Sequence, residues 1–250
     1  MRLKCLGCEA LARMVYLCAA KSPHIVNVEL FRLGLHNTPS NLRDRLQERI
    51  DSVTGQDYDA IVMAYGLCGQ ATEGLTAGEI PLVIPRAHDC ITLFLGDRER
   101  YKDQFENHPG TFWYALDYIE RRDDSTTALS LGSGMGGNIH EAYDGFVEKY
   151  GKDNANYLME VMGAWQEHYK RAAFIDMGVG DGTAVEEAAK KEAKRRGWTF
   201  DRIAGNLVLI RRLLDGDWER DFLVLEPGQQ IAMTYDDDVI GCQAIRKDSV

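Results

Sequence analysis

Three cysteines of this chain follow short apolar runs that end in turns, and thiols in that position are the residues best suited to chemistry here. Cys8 follows Leu3–Gly7, Cys68 stands in Tyr65-Gly-Leu-Cys-Gly69, and Cys90 closes Pro85-Arg-Ala-His-Asp-Cys90. Thiolates suit zinc, iron–sulfur clusters and other borderline or soft metals, and a neutral imidazole can fill a fourth position. The expected ligand set is therefore Cys8, Cys68 and Cys90, with His88 as the fourth donor. Were the chain already helical at Ala87, His88 and Cys90 would point about 200° apart, so joint ligation requires a non-helical turn. Tyr65 is the expected hydrogen-bond donor behind the ligands, and His88 is alternatively a proton donor. Arg86, with the helix expected to begin near His88, is assigned to favour the ionised sulfurs. A metal-free reading makes Cys90 a nucleophile beside Arg86 and His88. The plainest reading makes all three thiols small hydrophobes in tight space. Cys5 inside a strand, Cys18 on an apolar helix face and Cys242 near the tail fit that plain role better.

A second candidate lies at Gly178-Val-Gly180-Asp-Gly182, where a strand runs through a glycine-rich turn into a helix. Gly178, Gly180 and Gly182 in that context suit a nucleotide or S-adenosylmethionine, because glycine permits close approach and helix N–H groups are available to an anion. The following strand, Thr199-Phe-Asp-Arg-Ile203, lacks a clean terminal acid to hold a ribose, which ranks this site below the cysteines. Gly132–Gly137 has neither a preceding apolar strand nor a Lys-Ser/Thr ending, so it reads as a lid rather than a phosphate-binding loop. Trp113, Tyr114 and Tyr118 either line a cleft or belong to the core.

The elements that must position these residues alternate between strand-length apolar runs and segments of helical period, the pattern of βαβ units. Strands are expected at Leu3–Gly7, Ile25–Phe31, Ala60–Tyr65, Pro81–Pro85, Ala172–Asp176, Thr199–Ile203 and Phe222–Leu225. Leu11, Met14, Val15 and Cys18 recur as one helix face, as do Leu42, Leu46, Ile50 and Val53 behind Ser40 as N-cap. Val185–Arg196, closed by Gly197, and Leu207–Leu214 complete the helices. Asp123–Asn138 is a Gly/Ser-rich boundary, and Tyr157, Leu158, Val161, Met162 and Trp165 line one face of an expected αα-hairpin. The fold class is thus α/β, with Rossmann-like parallel sheets in two lobes joined by a helical segment. The lobes are expected at 1–122 and 171–250, with 123–170 connecting them. In such sheets ligands bind beyond the carboxyl ends of the strands, where all three cysteines fall.

Composition narrows the partners. Lys plus Arg number 29 against 39 Asp plus Glu in 250 residues, a formal charge of −10 that opposes nucleic acid and anionic membranes. No run approaches the roughly 18–20 apolar residues of a spanning helix, and Lys4, Glu9 and Arg13 interrupt the first apolar stretch. Six cysteines at this length are too sparse for a disulfide scaffold, so reduced thiols in the cytoplasm are expected. A small-molecule or metallocofactor ligand is the expected partner.

Leu82-Val-Ile-Pro-Arg-Ala-His-Asp-Cys-Ile-Thr-Leu-Phe-Leu-Gly-Asp-Arg-Glu-Arg-Tyr101, together with Tyr65–Gly69, Tyr150–Asn154 and Leu213–Gly216, resembles the domain-of-unknown-function 1638 family over almost the whole chain. That family occurs in methanogens and anaerobic bacteria, frequently beside corrinoid-dependent methyltransferase components. Its motif cysteines fall on Cys8, Cys68 and Cys90, with His88 in the same motif. The resemblance implies cytoplasmic, anaerobic one-carbon metabolism. A metal centre there would be an iron–sulfur cluster or zinc in the first instance, with corrinoid cobalt or nickel behind them. The alternatives are an S-adenosylmethionine- or thiol-dependent transferase, or a non-catalytic partner of a corrinoid methyltransferase system.

Overall fold

A computed structural model describes residues 1–122, 152 and 169–245. The chain begins β1 (Arg2–Cys8), a 3-10 turn at Glu9–Leu11, α1 (Ala12–Lys21), β2 (Ile25–Phe31), α2 (Pro39–Ser52), β3 (Ala60–Ala64) and β4 (Leu82–Pro85). It continues through α3 (Cys90–Leu95), α4 (Arg98–Asn107), β5 (Thr111–Ala115) and α5 (Leu116–Glu120). After the segment outside the described residues come β6 (Arg171–Asp176), α6 (Thr183–Arg196), β7 (Thr199–Ala204), α7 (Val208–Asp215) and β8 (Phe222–Leu225), then β9 (Gln229–Met233) and β10 (Ile240–Ala244). The Gly/Ser-rich boundary, the lid at 132–137 and the αα-hairpin lie outside the described residues. Among those described, no helix is long and apolar enough to cross a membrane.

The protein is α/β with parallel sheets. The first sheet runs β2-β1-β3-β4-β8, with its first four strands parallel and β8 antiparallel to β4. A second, parallel sheet runs β5-β6-β7, and β9 and β10 form an antiparallel pair. β3 is buried at every residue, as a strand covered on both faces must be. Ala60, Val62 and Ala64 face a core shared with Met14, Val15 and Cys18 of α1 and Leu209, Leu213 and Leu214 of α7. Ile61, Met63 and Tyr65 face the opposite core, with Leu42, Leu46 and Ile50 of α2.

Three sequence expectations change. Pro39 opens α2 as its first residue, with Thr38 rather than Ser40 at the N-cap and no capping side chain, because proline's fixed φ suits the first turn. Thr111–Ala115, with its three consecutive aromatics, is a strand, and Tyr114 and Tyr118 are core residues. The division at residue 122 does not follow the sheets. β5, from the first segment, joins the second sheet, and β8, from the last, joins the first. The sheets share one core, in which Ala115 and Ile175 pack with Leu11, Ile91 and Phe94. Arg13 of α1 reinforces it by ion-pairing with Asp117 and with Glu120 of α5.

The direction of winding reverses between β1 and β3, since β1 leads outward to β2 while β3 leads the other way to β4. Such a switch point opens a crevice beyond the carboxyl ends of the two strands. There the turns after β3 and β4 are laced together: Leu67 N–H donates to Ala87 O at 2.8 Å and Cys68 N–H to His88 O at 2.9 Å. A Cβ on Gly66 would stand 2.8 Å from Ala87 O and 2.9 Å from Asp89 N. Both neighbours are backbone and cannot swing aside. Gly66→Ala should therefore cost about 3 kcal/mol. Gly69→Ala, at a left-handed φ of 64° but with nothing near its Cβ, should cost only about 1 kcal/mol. Urea unfolding of the two variants measures the difference.

Candidate functional site

Cys8 is the last residue of β1, Cys68 lies in the turn after β3, and Cys90 opens α3 after β4. Three adjacent parallel strands thus deliver one thiol each to the switch-point crevice. The three sulfurs act on one another electrostatically: ionisation of Cys8 and Cys68 opposes that of Cys90, and Cys8 opposes Cys68. Cys90 is 9% exposed, while Cys8 and Cys68 are half-buried. Cys68 has a left-handed φ of 48°, followed by Gly69 at 64° and Gln70 at 71°. Non-glycine residues in that region each cost on the order of 1–3 kcal/mol and persist where the surroundings hold them. Here the Cys68 N–H bond to His88 O and the Ala71 N–H bond to Cys68 O pin the turn.

Tyr65 continues from β3 beneath this group. It is 2% exposed, and its hydroxyl is buried without a hydrogen-bond partner. Burial raises its pKa well above the usual range, and the Cys8, Cys68 and Glu9 charges add to the effect. An unsatisfied buried hydroxyl costs about 1–3 kcal/mol, so its position beside the thiols marks a place where an acceptor is expected. Asp89, which the sequence reading passed over, is the N-cap of α3. Its carboxylate accepts from Ile91 N–H at 2.9 Å and Thr92 N–H at 3.3 Å, and from the Tyr101 hydroxyl at 3.2 Å. Even so, burial raises its pKa above the ordinary aspartate value. The signal for it was present, an aspartate directly before the apolar run Cys90–Leu95.

The thiols are not activated in the way the sequence suggested. Burial pushes Cys8 up to about 12 and raises Cys68 and Cys90 further, with Asp89 adding to the last two. Arg86 turns away. Its guanidinium donates to the carbonyls of Phe222 and Ile240 and pairs with Asp238 at 3.6 Å. The helix that starts at Cys90 has only six residues, and desolvation outweighs its dipole. His88 is exposed and stacks on Tyr101, with ring centroids 5.6 Å apart, while its carbonyl accepts from Cys68 N–H. Cys5 is fully buried in β1 and pushed to about 12, Cys18 is buried under α1, and Cys242 is exposed.

Packing accounts for Gly180 and Gly182, whereas Gly178 has nothing near its Cβ position but a left-handed φ of 65°. A Cβ on Gly180 would meet Leu116 at 2.7 Å and Arg13 at 2.9 Å, and one on Gly182 would meet the Phe174 ring at 2.6 Å. Asp176 at the end of β6 pairs with Arg202 of β7 at 2.6 Å, so the adjacent strand brings a cation where a ribose-binding acid would stand.

Among the described residues, no set of three or more His, Cys, Asp or Glu side chains is already gathered into a metal-holding arrangement. In kind, the residues suit a soft or borderline cation: three thiols, a buried carboxyl beside them and the orphaned Tyr65 hydroxyl.

A family model described as a protein of unknown function, DUF1638, matches residues 30–214. The chain belongs to the DUF1638 family. The matched stretch contains Tyr65, Cys68, His88 and Cys90, and Cys8 precedes it. No curated protein and no solved structure matches this DUF1638 chain.

Metal-free protein should show the thiols as weak nucleophiles at neutral pH. Reactivity follows the thiolate fraction, partly offset by the higher intrinsic nucleophilicity of a more basic sulfur. Alkylation of Cys8 by iodoacetamide at pH 8 should run on the order of a hundredfold slower than free cysteine and rise with pH. Because folding raises these pKa values, the folded state holds more protons. Its stability is full below the ordinary thiol pKa of about 8.5 and falls as pH climbs toward 12. Urea midpoints between pH 7 and 10.5 test the sign.

Proposed function

We propose that this DUF1638 protein is a metal- or metallocofactor-binding protein of anaerobic one-carbon metabolism, acting in the cytoplasm. In this reading its parallel sheets are Rossmann-like, and thiolates of Cys8, Cys68 and Cys90 are the donors at the strand ends. The observation that carries the reading is that three adjacent strand ends carry one thiol each, coupled to one another electrostatically and to an unpartnered buried hydroxyl. The family's company with corrinoid methyltransferase components supports the one-carbon setting.

Electrostatics favours a cation over a free nucleophile. The charges that act on Cys68 and Cys90 are those of Cys8, Asp89 and, for Cys90, Cys68, and each opposes ionisation. A neutral Cys90 thiol is a poor attacker at pH 7, whereas a bound cation inverts the local preference and draws the protons off. Such a centre would supply a soft Lewis-acidic or redox-active site open to the crevice. The chain's own part is to position the sulfurs by the Gly66 contact and the laced turns. The Tyr65 hydroxyl can donate to a thiolate sulfur, and Asp89 and Tyr101 fix the start of α3. Cobalt of a corrinoid and nickel fit soft donors as iron–sulfur and zinc do, and the partner would be a small molecule, a metallocofactor or a corrinoid methyltransferase component.

Protein purified without oxygen, from cells supplied with iron, zinc, cobalt and nickel, should contain stoichiometric metal by elemental analysis. Cys8→Ser, Cys68→Ser and Cys90→Ser should each remove most of it with the fold intact, while Cys18→Ser and Cys242→Ser leave it unchanged. Because thiol protons must leave on binding, affinity should rise about tenfold per pH unit for each thiolate formed. Wild-type protein without stoichiometric metal would overturn the reading.

A further inference from the structure

A separate pocket of about 170 Å³ opens between the turn after β4, α4 and the turn joining β9 to β10. One wall is a continuous ring stack. His88 lies on Tyr101 at 5.6 Å and 24° between planes, and Tyr101 on Phe105 at 6.2 Å and 16°. Three cations line it as well: Arg86, Arg98 and Lys102. Their carboxylate partners come from one turn, Asp236-Asp-Asp238. Asp238 stands 3.6 Å from both Arg86 and Arg98, Asp237 is 3.3 Å from Lys102, and Arg98 also donates to the Asp237 carbonyl.

Two observations mark this as a binding site rather than a surface ion-pair network. Thr92, on the pocket wall, is 1% exposed, and its hydroxyl is buried without a partner. The acidic turn is also held in a costly conformation: Val239, which follows it, has a φ of 65°, a region that β-branched residues rarely occupy. With the turn in place, Glu99 and Glu106 on α4 together with Asp236 and Asp237 outnumber the three cations. Without the turn, the cations outnumber the two glutamates.

We propose that this pocket binds a small ligand carrying one planar ring and one anionic group, with the ring on the His88–Tyr101–Phe105 stack and the anion on Arg86, Arg98 and Lys102. The Asp236–Asp238 turn occupies the anion's place until the ligand displaces it. The volume fits a single ring with its anion. The site does not depend on the thiols holding a metal, and it lies next to them: Tyr101 donates to Asp89, whose charge acts on Cys90.

Calorimetric titration of metal-free full-length protein with phenyl phosphate tests the proposal, with phenol and inorganic phosphate as the ring-only and anion-only arms. Phenyl phosphate should bind at least about tenfold more tightly than either arm. Lys102→Gln, at an exposed position, and Arg98→Gln should each weaken it about tenfold, the worth of one charged hydrogen bond. The double variant Asp237→Asn/Asp238→Asn should tighten it at least about threefold, because the competing occupant is weakened. Ligand should also speed hydrogen exchange across residues 234–240. Absence of phenyl phosphate binding at 10 mM (roughly −2.7 kcal/mol on the affinity scale), equal affinity for phenol, or no tightening in the aspartate variant would overturn the proposal.

Discussion

The contact between Gly66 and the backbone at Ala87 and Asp89 sets the distance between the turns after β3 and β4, and most of what is distinctive in this molecule depends on it. Because no side chain intervenes, Leu67 and Cys68 reach the carbonyls of Ala87 and His88. Those two bonds hold the turn in which Cys68 takes its left-handed conformation, and Cys68 is coupled electrostatically to Cys8 and Cys90. The same lacing holds the backbone at His88, whose imidazole stacks on Tyr101. One backbone approach therefore underlies two faces of the molecule, the thiol crevice and the ring-lined pocket.

Asp89 links these two faces. Its carboxylate caps α3 and takes the Tyr101 hydroxyl, and it is close enough to Cys90 to oppose that thiol's ionisation. A buried carboxyl with a raised pKa is costly to keep charged. Its three donors offset part of that cost, and a cation among the sulfurs would offset more. The charge state of the crevice and the seating of Tyr101 in the pocket wall are therefore not independent.

Much of the first sheet was legible because its strands are buried on both faces and read as unbroken apolar runs: Ala60–Ala64 and Leu82–Pro85 are the clearest cases. Their shared carboxyl edge followed from the βαβ pattern, and with it the position of Cys8, Cys68 and Cys90 at strand ends. The direction of β8 was not legible, since Phe222-Leu-Val-Leu225 has the same hydropathy read either way and only its pairing with Leu82–Pro85 makes it antiparallel. Nor was β5, because the aromatics of Thr111–Ala115 suit a cleft wall as well as a strand until Arg171–Ile175 pairs with them. The fates of Arg86 and His88 were hidden for a different reason. Their partners, the Phe222 and Ile240 carbonyls for Arg86 and the Tyr101 ring for His88, belong to other elements, and no local pattern names them.

The placement of β1 and β8 separates the unit of inheritance from the unit of folding. The family-matched span, residues 30–214, begins after β1 and ends before β8. Yet β1 lies between β2 and β3 at the middle of the first sheet, and β8 covers the far edge of β4. A fragment cut to the matched span would lose β1 and all of β2 but Leu30 and Phe31, and would bare the apolar edge at Leu82–Pro85, the kind of open strand that templates aggregation. The stretch by which relatives are identified is thus held in shape by sequence lying outside it on both sides.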